Sequence, residues 1–229
     1  MAPEEPEHLL NDLQRSVIMT SDILIITGHP NPDSLSEHLA SQYEERARSL
    51  GASVEILRLS ELDFDPILHH GYAKIQPLEP DLIEAQHKIE AARHVVFVYP
   101  MWWVGAPALL RGFIERTFLP GWAFKYEEGS SIPHKLLSGR SARVIMTMDA
   151  PGFWYRLVYR RAATHSFVQG ILKFSGFARV KTTHLYNVRE MSSEDIAASV
   201  EKVLAAATRD VRKELKRGKQ GTARELAAS

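Results

Sequence analysis

The chain of 229 residues contains no cysteine. Disulfides, thiol catalysis and cysteine-ligated metals are therefore excluded. No apolar run in it reaches the roughly twenty residues that a membrane-spanning helix needs. Net charge is also missing, because 28 Lys and Arg balance 28 Asp and Glu. That balance offers nothing to a nucleic acid or other polyanion. Neither the lysine-bearing phosphate loop nor the three-glycine dinucleotide fingerprint occurs, so the commonest grips on ATP and NAD are absent. Acids and prolines precede any hydrophobic stretch at the start of the chain, the wrong order for a secretory leader. These absences lead to an expectation of a cytoplasmic protein without a metal site or integral membrane segment. Residues 1–20 read as a flexible arm, 21–217 as one domain and 218–229 as a tail.

What is present is an alternation of short apolar runs with amphipathic stretches. Strands are expected at 22–27, 53–57, 94–99, 143–148 and 180–186. Helices are expected at 34–50, 81–93, 106–118 and from Ser192 or Ser193 to about Arg217, and 155–174 is expected to be mostly helical. Within the last helix, the Lys/Arg-rich residues 209–219 read as a solvated face. Strands alternating with helices imply a parallel sheet covered on both sides, a three-layer α/β sandwich with right-handed crossovers. Five such strands most often take the order 2-1-3-4-5. Ligands then bind where that order reverses, beyond the carboxyl ends of strands one and three.

Two loops meet at that reversal. The first, residues 28–34, reads GHPNPDS and leads into a helix. A helix N-terminus offers unpaired N–H groups and partial positive charge, and His29, Ser34 and Ser36 add donors, a set suited to a phosphate. The same residues would also serve as a plain capped turn. The second loop follows VVFVY and reads PMWWVGAP, from Pro100 to Pro107. Trp102, Trp103 and Gly105 suggest a flat apolar slot, although tryptophans more often simply pack. A third loop, Thr147, Met148 and Asp149 with the residues after them, borders the slot. There Asp149 reads as a base, an acceptor or a helix cap. A phosphate cradle beside a flat slot suggests a flavin nucleotide.

At these residues the chain resembles the flavodoxin-like NAD(P)H:quinone oxidoreductases of the DT-diaphorase or modulator-of-drug-activity type. The resemblance spans roughly residues 23–186. It rests on GHPNPDS, YPMWWVGAPALLRGFIERTF, PGWAFKY and ILKFSGF. It implies a flavodoxin-like fold, a bound flavin (FAD slightly favoured over FMN), NAD(P)H as donor, a quinone-like acceptor, hydride transfer in two alternating half-reactions, and a homodimer. It places His29, Ser34, Leu35 and Ser36 at the flavin tail, with Leu35 where some members carry an aromatic residue. Pro100, Met101, Trp102, Trp103, Val104 and Gly105 fall on the loop that holds the flavin ring. Phe124 and Tyr126 fall in the substrate pocket, usually across a dimer interface. Met148-Asp149-Ala150-Pro151 departs from the glycine-rich turn of the best-known members. A tyrosine and a histidine assist hydride transfer in those members, and Tyr155 and His165 are the candidates here. Rival readings are an electron-carrying flavodoxin, a flavin-binding regulatory subunit of a potassium-efflux system, and an FMN-dependent azo- or nitroreductase.

Overall fold

A computed structural model describes residues 21–127 and 129–228, with side chains to residue 218. The expected N-terminal arm lies outside the described residues. Five parallel strands, β1 (Ser21–Thr27), β2 (Val54–Arg58), β3 (Ala92–Pro100), β4 (Ser141–Thr147) and β5 (Arg179–Leu185), form one sheet in the order β2-β1-β3-β4-β5. β1 pairs β3 with Ile25 opposite Val96, and β3 pairs β4 with Pro100 opposite Thr147. The central strands read as unbroken apolar runs because both of their faces are buried. Alternate residues serve opposite cores. Leu24, Ile26, Val95 and Phe97 face one side, covered by α2 (Pro80–Ala91) and α3 (Ala108–Thr117). Ile23, Ile25, Val96 and Val98 face the other, covered by α1 (Leu35–Ser49) and α6 (Ser193–Ala228).

The helix ends follow local chemistry. The Ser34 hydroxyl accepts the Glu37 N–H at 3.3 Å and caps α1, and Gly51 at φ 85° ends its exit turn. Ser192 caps α6, trading hydrogen bonds with Asp195, whose carboxylate accepts the Ser192 N–H at 3.0 Å. The α6 backbone remains helical to Ala228, past the expected end near Arg217. Its last third is rich in Ala, Lys, Arg and Glu, and these outweigh the cost of Gly218 and Gly221.

The stretch 155–174, expected to be mostly helical, is so in three pieces: α4 (Gly152–Leu157), α5 (Ala162–His165) and a π-helix (Ser166–Lys173). Arg160 and Arg161 at φ 47° and 56° form the break, and left-handed backbone cannot continue a right-handed helix. The face expected to be solvated on α6 holds two buried acids, Asp210 and Glu214. They are one helical turn apart, so they share a stripe that faces the sheet. Asp210 accepts both the Nε and the Nη2 of Arg143, the latter at 2.8 Å, and the Tyr43 hydroxyl at 2.9 Å. Glu214 accepts the Ser141 hydroxyl at 2.8 Å, and Ser141 Oγ lies 2.7 Å from His94 Nδ1.

The long connection between β2 and α2 is fastened by Arg116, fully buried on α3. Its guanidinium donates to both carboxylate oxygens of Glu79 and to the carbonyls of Asp65 and Pro77. Arg116→Ala should cost about 3 kcal/mol by orphaning those acceptors. Arg116→Lys should not recover it, since a single ammonium cannot span the fork. Denaturant midpoints of the two variants check this, and a rescue by lysine would contradict it.

Candidate functional site

The carboxyl ends of β1, β3 and β4 are stitched into one rim. Gly28 N–H donates to the Val98 carbonyl at 2.9 Å, and Met101 N–H donates to the Thr147 carbonyl at 2.7 Å. Gly28 is needed for this closure, because a Cβ there would stand 2.9 Å from the Leu110 side chain. Between the three loops lies a cleft of 220 Å³. Its walls are His29, Ser34, Leu35 and Ser36 from the first loop, Pro100, Met101 and Trp102 from the second, and Thr147, Met148 and Asp149 from the third, with Val188 beyond. Ten positions read from the sequence or its resemblance thus meet in one place. Val188 was missed because nothing in its own short turn marks it; only the return of β5 beside β4 brings it there.

The first loop is preorganised. Asn31 N–H donates to His29 Nδ1 at 2.9 Å, which leaves the ring proton on Nε2 as a free donor. Asp33 N–H donates to Asn31 Oδ1 at 2.9 Å, an Asx-turn that leads into α1. Leu35 and Ser36 are the first two residues of α1, so their N–H groups have no carbonyl inside the helix to bond. The Ser34 oxygen accepts the Glu37 N–H, so its own proton remains to give. An N–H pair, two hydroxyls and an imidazole N–H around one helix start make a donor set for an anion such as a phosphate.

The second loop is a two-residue hairpin turn. Trp102 and Gly105 exchange N–H···O bonds of 3.0 and 2.9 Å, and between them Trp103 and Val104 sit at φ 50° and 57°. That turn is normally Asn-Gly. A β-branched valine there is strained by about 1–3 kcal/mol, and such strain gathers at working sites. The turn stands Trp102 edge-on to the His29 ring, with centroids 5.4 Å apart, so the phosphate-type loop and the aromatic loop touch. Trp103, Val104 and Gly105 are not in the wall of the cleft. Trp103 is fully exposed beside it, Val104 packs toward the core, and Gly105 lines a small hollow behind the loop.

Asp149 is held by the Arg189 N–H at 3.0 Å. Tyr155 is fully buried. Its oxygen accepts the Thr164 N–H at 3.0 Å and lies 2.6 Å from Thr164 Oγ1, which lies 2.8 Å from His184 Nε2. Burial, then the charges of Lys202 and Arg161, push the His184 imidazole down to about 4. Neither Tyr155 nor His165 reaches the cleft: the apolar body of Tyr155 is drawn into the core, and His165 lies exposed on α5. Phe124 and Tyr126 line a separate cavity of 520 Å³ with Tyr72 and Phe174, sharing no wall with the cleft. They stand by a short ribbon, Phe124–Lys125 against His134–Lys135.

A parallel sheet whose order reverses at a cleft built of a donor-rich helix start and an aromatic loop defines an α/β protein of the doubly wound kind. The chain belongs to the family described as "Flavodoxin-like fold", whose model matches residues 21–208. It is 29% identical over 69% of its length to an uncharacterized NAD(P)H oxidoreductase of Haemophilus influenzae, covering 80% of that protein. It is 23% identical over 72% of its length to NAD(P)H dehydrogenase [quinone] 1 of Rattus norvegicus, covering 68% of that protein. The structure of an FMN-dependent NADH-azoreductase from Bacillus anthracis in complex with FMN superposes with a TM-score of 0.65 at 19% identity, over 82% of this chain and 98% of that one.

Proposed function

We propose that the protein is a flavin-dependent oxidoreductase that reduces quinones or similar flat electrophiles with NAD(P)H. It acts as a cytoplasmic homodimer, with residues 21–217 forming one flavin-binding domain. The observation that carries this reading is the contact of the two loops: one offers donors to an anionic tail, and the other offers an aromatic face beside it. The residues present fit a flavin. When bound, that group accepts a hydride from NAD(P)H and yields it to the acceptor. The chain's own part is positioning. The Leu35 and Ser36 N–H groups, the Ser34 hydroxyl and His29 Nε2–H hold the phosphate. Pro100, Met101 and Trp102 give the ring its apolar wall, and Thr147 and Met148 close the far side. One carboxylate oxygen of Asp149 accepts the Arg189 N–H, and the side chain remains in the wall of the cleft. FAD is slightly favoured over FMN, as the resemblance implies.

The acceptor is a second copy's neighbour in this reading. Phe124 and Tyr126 lie outside the cleft of their own chain, which supports their serving a partner's cleft. Trp103 then offers its exposed indole as a stacking face. Trp103→Asn suits the left-handed backbone. It should leave the melting temperature unchanged and raise KM for a quinone about tenfold, the value of one aromatic contact of about 1.4 kcal/mol. Steady-state kinetics check this. An unchanged KM would remove Trp103 from the acceptor site. The function itself is tested by purifying the protein, releasing its chromophore for mass identification, and following NAD(P)H oxidation with a quinone present. Absence of flavin or of acceptor-dependent turnover would contradict the proposal.

A further inference from the structure

The amino end of the sheet, away from the cleft, encloses a group of ionisable side chains that the proposed reaction does not use. His94 on β3, Ser141 and Arg143 on β4, Tyr43 on α1, and Asp210 and Glu214 on α6 are each no more than 5% exposed. They are enclosed within one chain, so a partner copy does not bear on them. On β1, Ile23 stands opposite His94 and brings no charge. Asp22 and Arg93, the chain neighbours of that pair, bond to each other at 3.1 Å.

The protons of the group can be counted. Glu214 accepts at both oxygens, from the Ser141 hydroxyl at 2.8 Å and from Arg217, partly exposed at the rim, at 2.9 Å. The one Ser141 proton is thereby spent, so its oxygen accepts across the 2.7 Å contact with His94 Nδ1, which carries a hydrogen. Arg143 spends Nε and Nη2 on Asp210 and Nη1 on Thr183 of β5, and Tyr43 gives its proton to Asp210. Among the described residues no hydrogen-bond partner reaches His94 Nε2. What faces it is Asp210 Oδ2, at an ion-pair distance of 3.4 Å. A bare Nε2 would set its lone pair against a buried carboxylate. A protonated one gives Asp210 a second cation and brings the buried group to two positive and two negative charges. Burial raises the Asp210 carboxyl, yet Arg143 and then His94 hold it far below the usual carboxylate range.

We propose that His94 is a buried imidazolium that latches the far half of α6 to the sheet, and that loss of its proton at alkaline pH opens the latch. The sign follows from the geometry. As pH rises, Nε2 gives up its proton to solvent and becomes an acceptor facing an acceptor. One negative charge under α6 then loses its counter-charge. Arg143 still holds Asp210, so the helix loosens there rather than leaving the sheet. The latch is closed at neutral pH and opens on the alkaline side, the behaviour of a histidine switch. The inference goes beyond the proposed oxidoreductase activity and does not rest on it, because no flavin, donor or acceptor enters.

The test is nuclear magnetic resonance of the isotope-labelled full chain, with the His94 ring identified by through-bond correlation to its own backbone. At neutral pH both of its ring nitrogens should show the shifts of a protonated imidazolium. A bare nitrogen on His94 at neutral pH overturns the proposal. Raising the pH should strip Nε2. Over the same range the amide protection of residues 205–217, corrected for the intrinsic rise of exchange with pH, should fall at least about tenfold. Loss of the His94 proton with α6 protection unchanged also overturns the proposal. His94→Gln keeps a polar amide but brings no charge to Asp210. Compared with the wild type at one neutral pH, it should show the same loss of at least about tenfold over 205–217, with β1 protected as before. Equal protection of α6 in the two proteins would mean that no charge on His94 holds the helix, and the proposal falls. Should the variant not fold, the two wild-type measurements decide by themselves.

Discussion

Asp210→Ala should destabilise the fold by about 3–5 kcal/mol, because it leaves the buried Arg143 guanidinium without its counter-charge. For a domain of this size that is a drop in melting temperature on the order of 10 °C. Asp210 gathers Arg143, Tyr43 and, at 3.4 Å, His94 at the junction of α1, α6 and the sheet. Two charged hydrogen bonds from Arg143 hold the Asp210 carboxyl far below the usual carboxylate range, against the opposing effect of burial. Burial, reinforced by Asp210, raises the Tyr43 hydroxyl well above its ordinary value. Removing Asp210 therefore leaves a cation and a phenol stranded together. A loss under about 1 kcal/mol by denaturant titration would mean that water enters and solvates Arg143.

The same cluster shapes the acid limb of stability, in sequence with His184. Between pH 6.5 and about 4 the unfolded chain takes up the His184 proton and the folded chain does not. Stability therefore falls as pH drops through that window. Below about pH 4 the unfolded chain also protonates Asp210, which stays ionised when folded, and stability falls further. Denaturant midpoints measured across this range should decline in two stages. His184→Gln should flatten only the upper one. A single decline beginning below pH 4 would mean that His184 is charged in the folded protein.

Ser34→Asp should strip the cleft of flavin while leaving the fold intact. Aspartate caps a helix as well as serine does, so the Glu37 N–H keeps its acceptor. The new charge sits where the phosphate is proposed to lie, and facing like charges cost several kcal/mol. An affinity loss of at least about a hundredfold is expected, with unchanged melting of the flavin-free protein. Ser34→Ala should behave oppositely, losing about 1 kcal/mol of stability with the cap while weakening flavin only modestly. Equal flavin content in Ser34→Asp and the wild type would remove the phosphate from this loop.

Most of the sheet could be read from the chain. β1 and β3 are buried on both faces, so their sequences are continuous apolar runs that no other element imitates. β5 was legible by its place in the alternation rather than its pattern, since Lys181, Thr182 and Thr183 break the run at the sheet edge. The polar half of the cleft was legible because a capped helix start carries its donors in consecutive residues. The hairpin at Trp103 and Val104 was not, because its turn type ordinarily demands Asn-Gly and the local residues argue against it. The break at Arg160 and Arg161 was hidden for the same reason. Asp210 and Glu214 looked like surface charges because their partners, Arg143 and Ser141, lie on β4, dozens of residues away. The resemblance led to Tyr155 and His165, but the fold spends the Tyr155 hydroxyl on Thr164 and leaves His165 outside the cleft.

The most direct test of the central claim is a binding titration. Stripped protein is mixed with FAD and with FMN, followed by the quenching of free flavin fluorescence, and the loaded sample is then bleached with NAD(P)H and recoloured with a quinone. One flavin should bind per chain and complete that cycle, with the Ser34→Asp variant failing at the first step. If neither flavin binds the intact wild-type chain, the His29–Trp102 crevice is not a flavin site and the proposed oxidoreductase function does not stand.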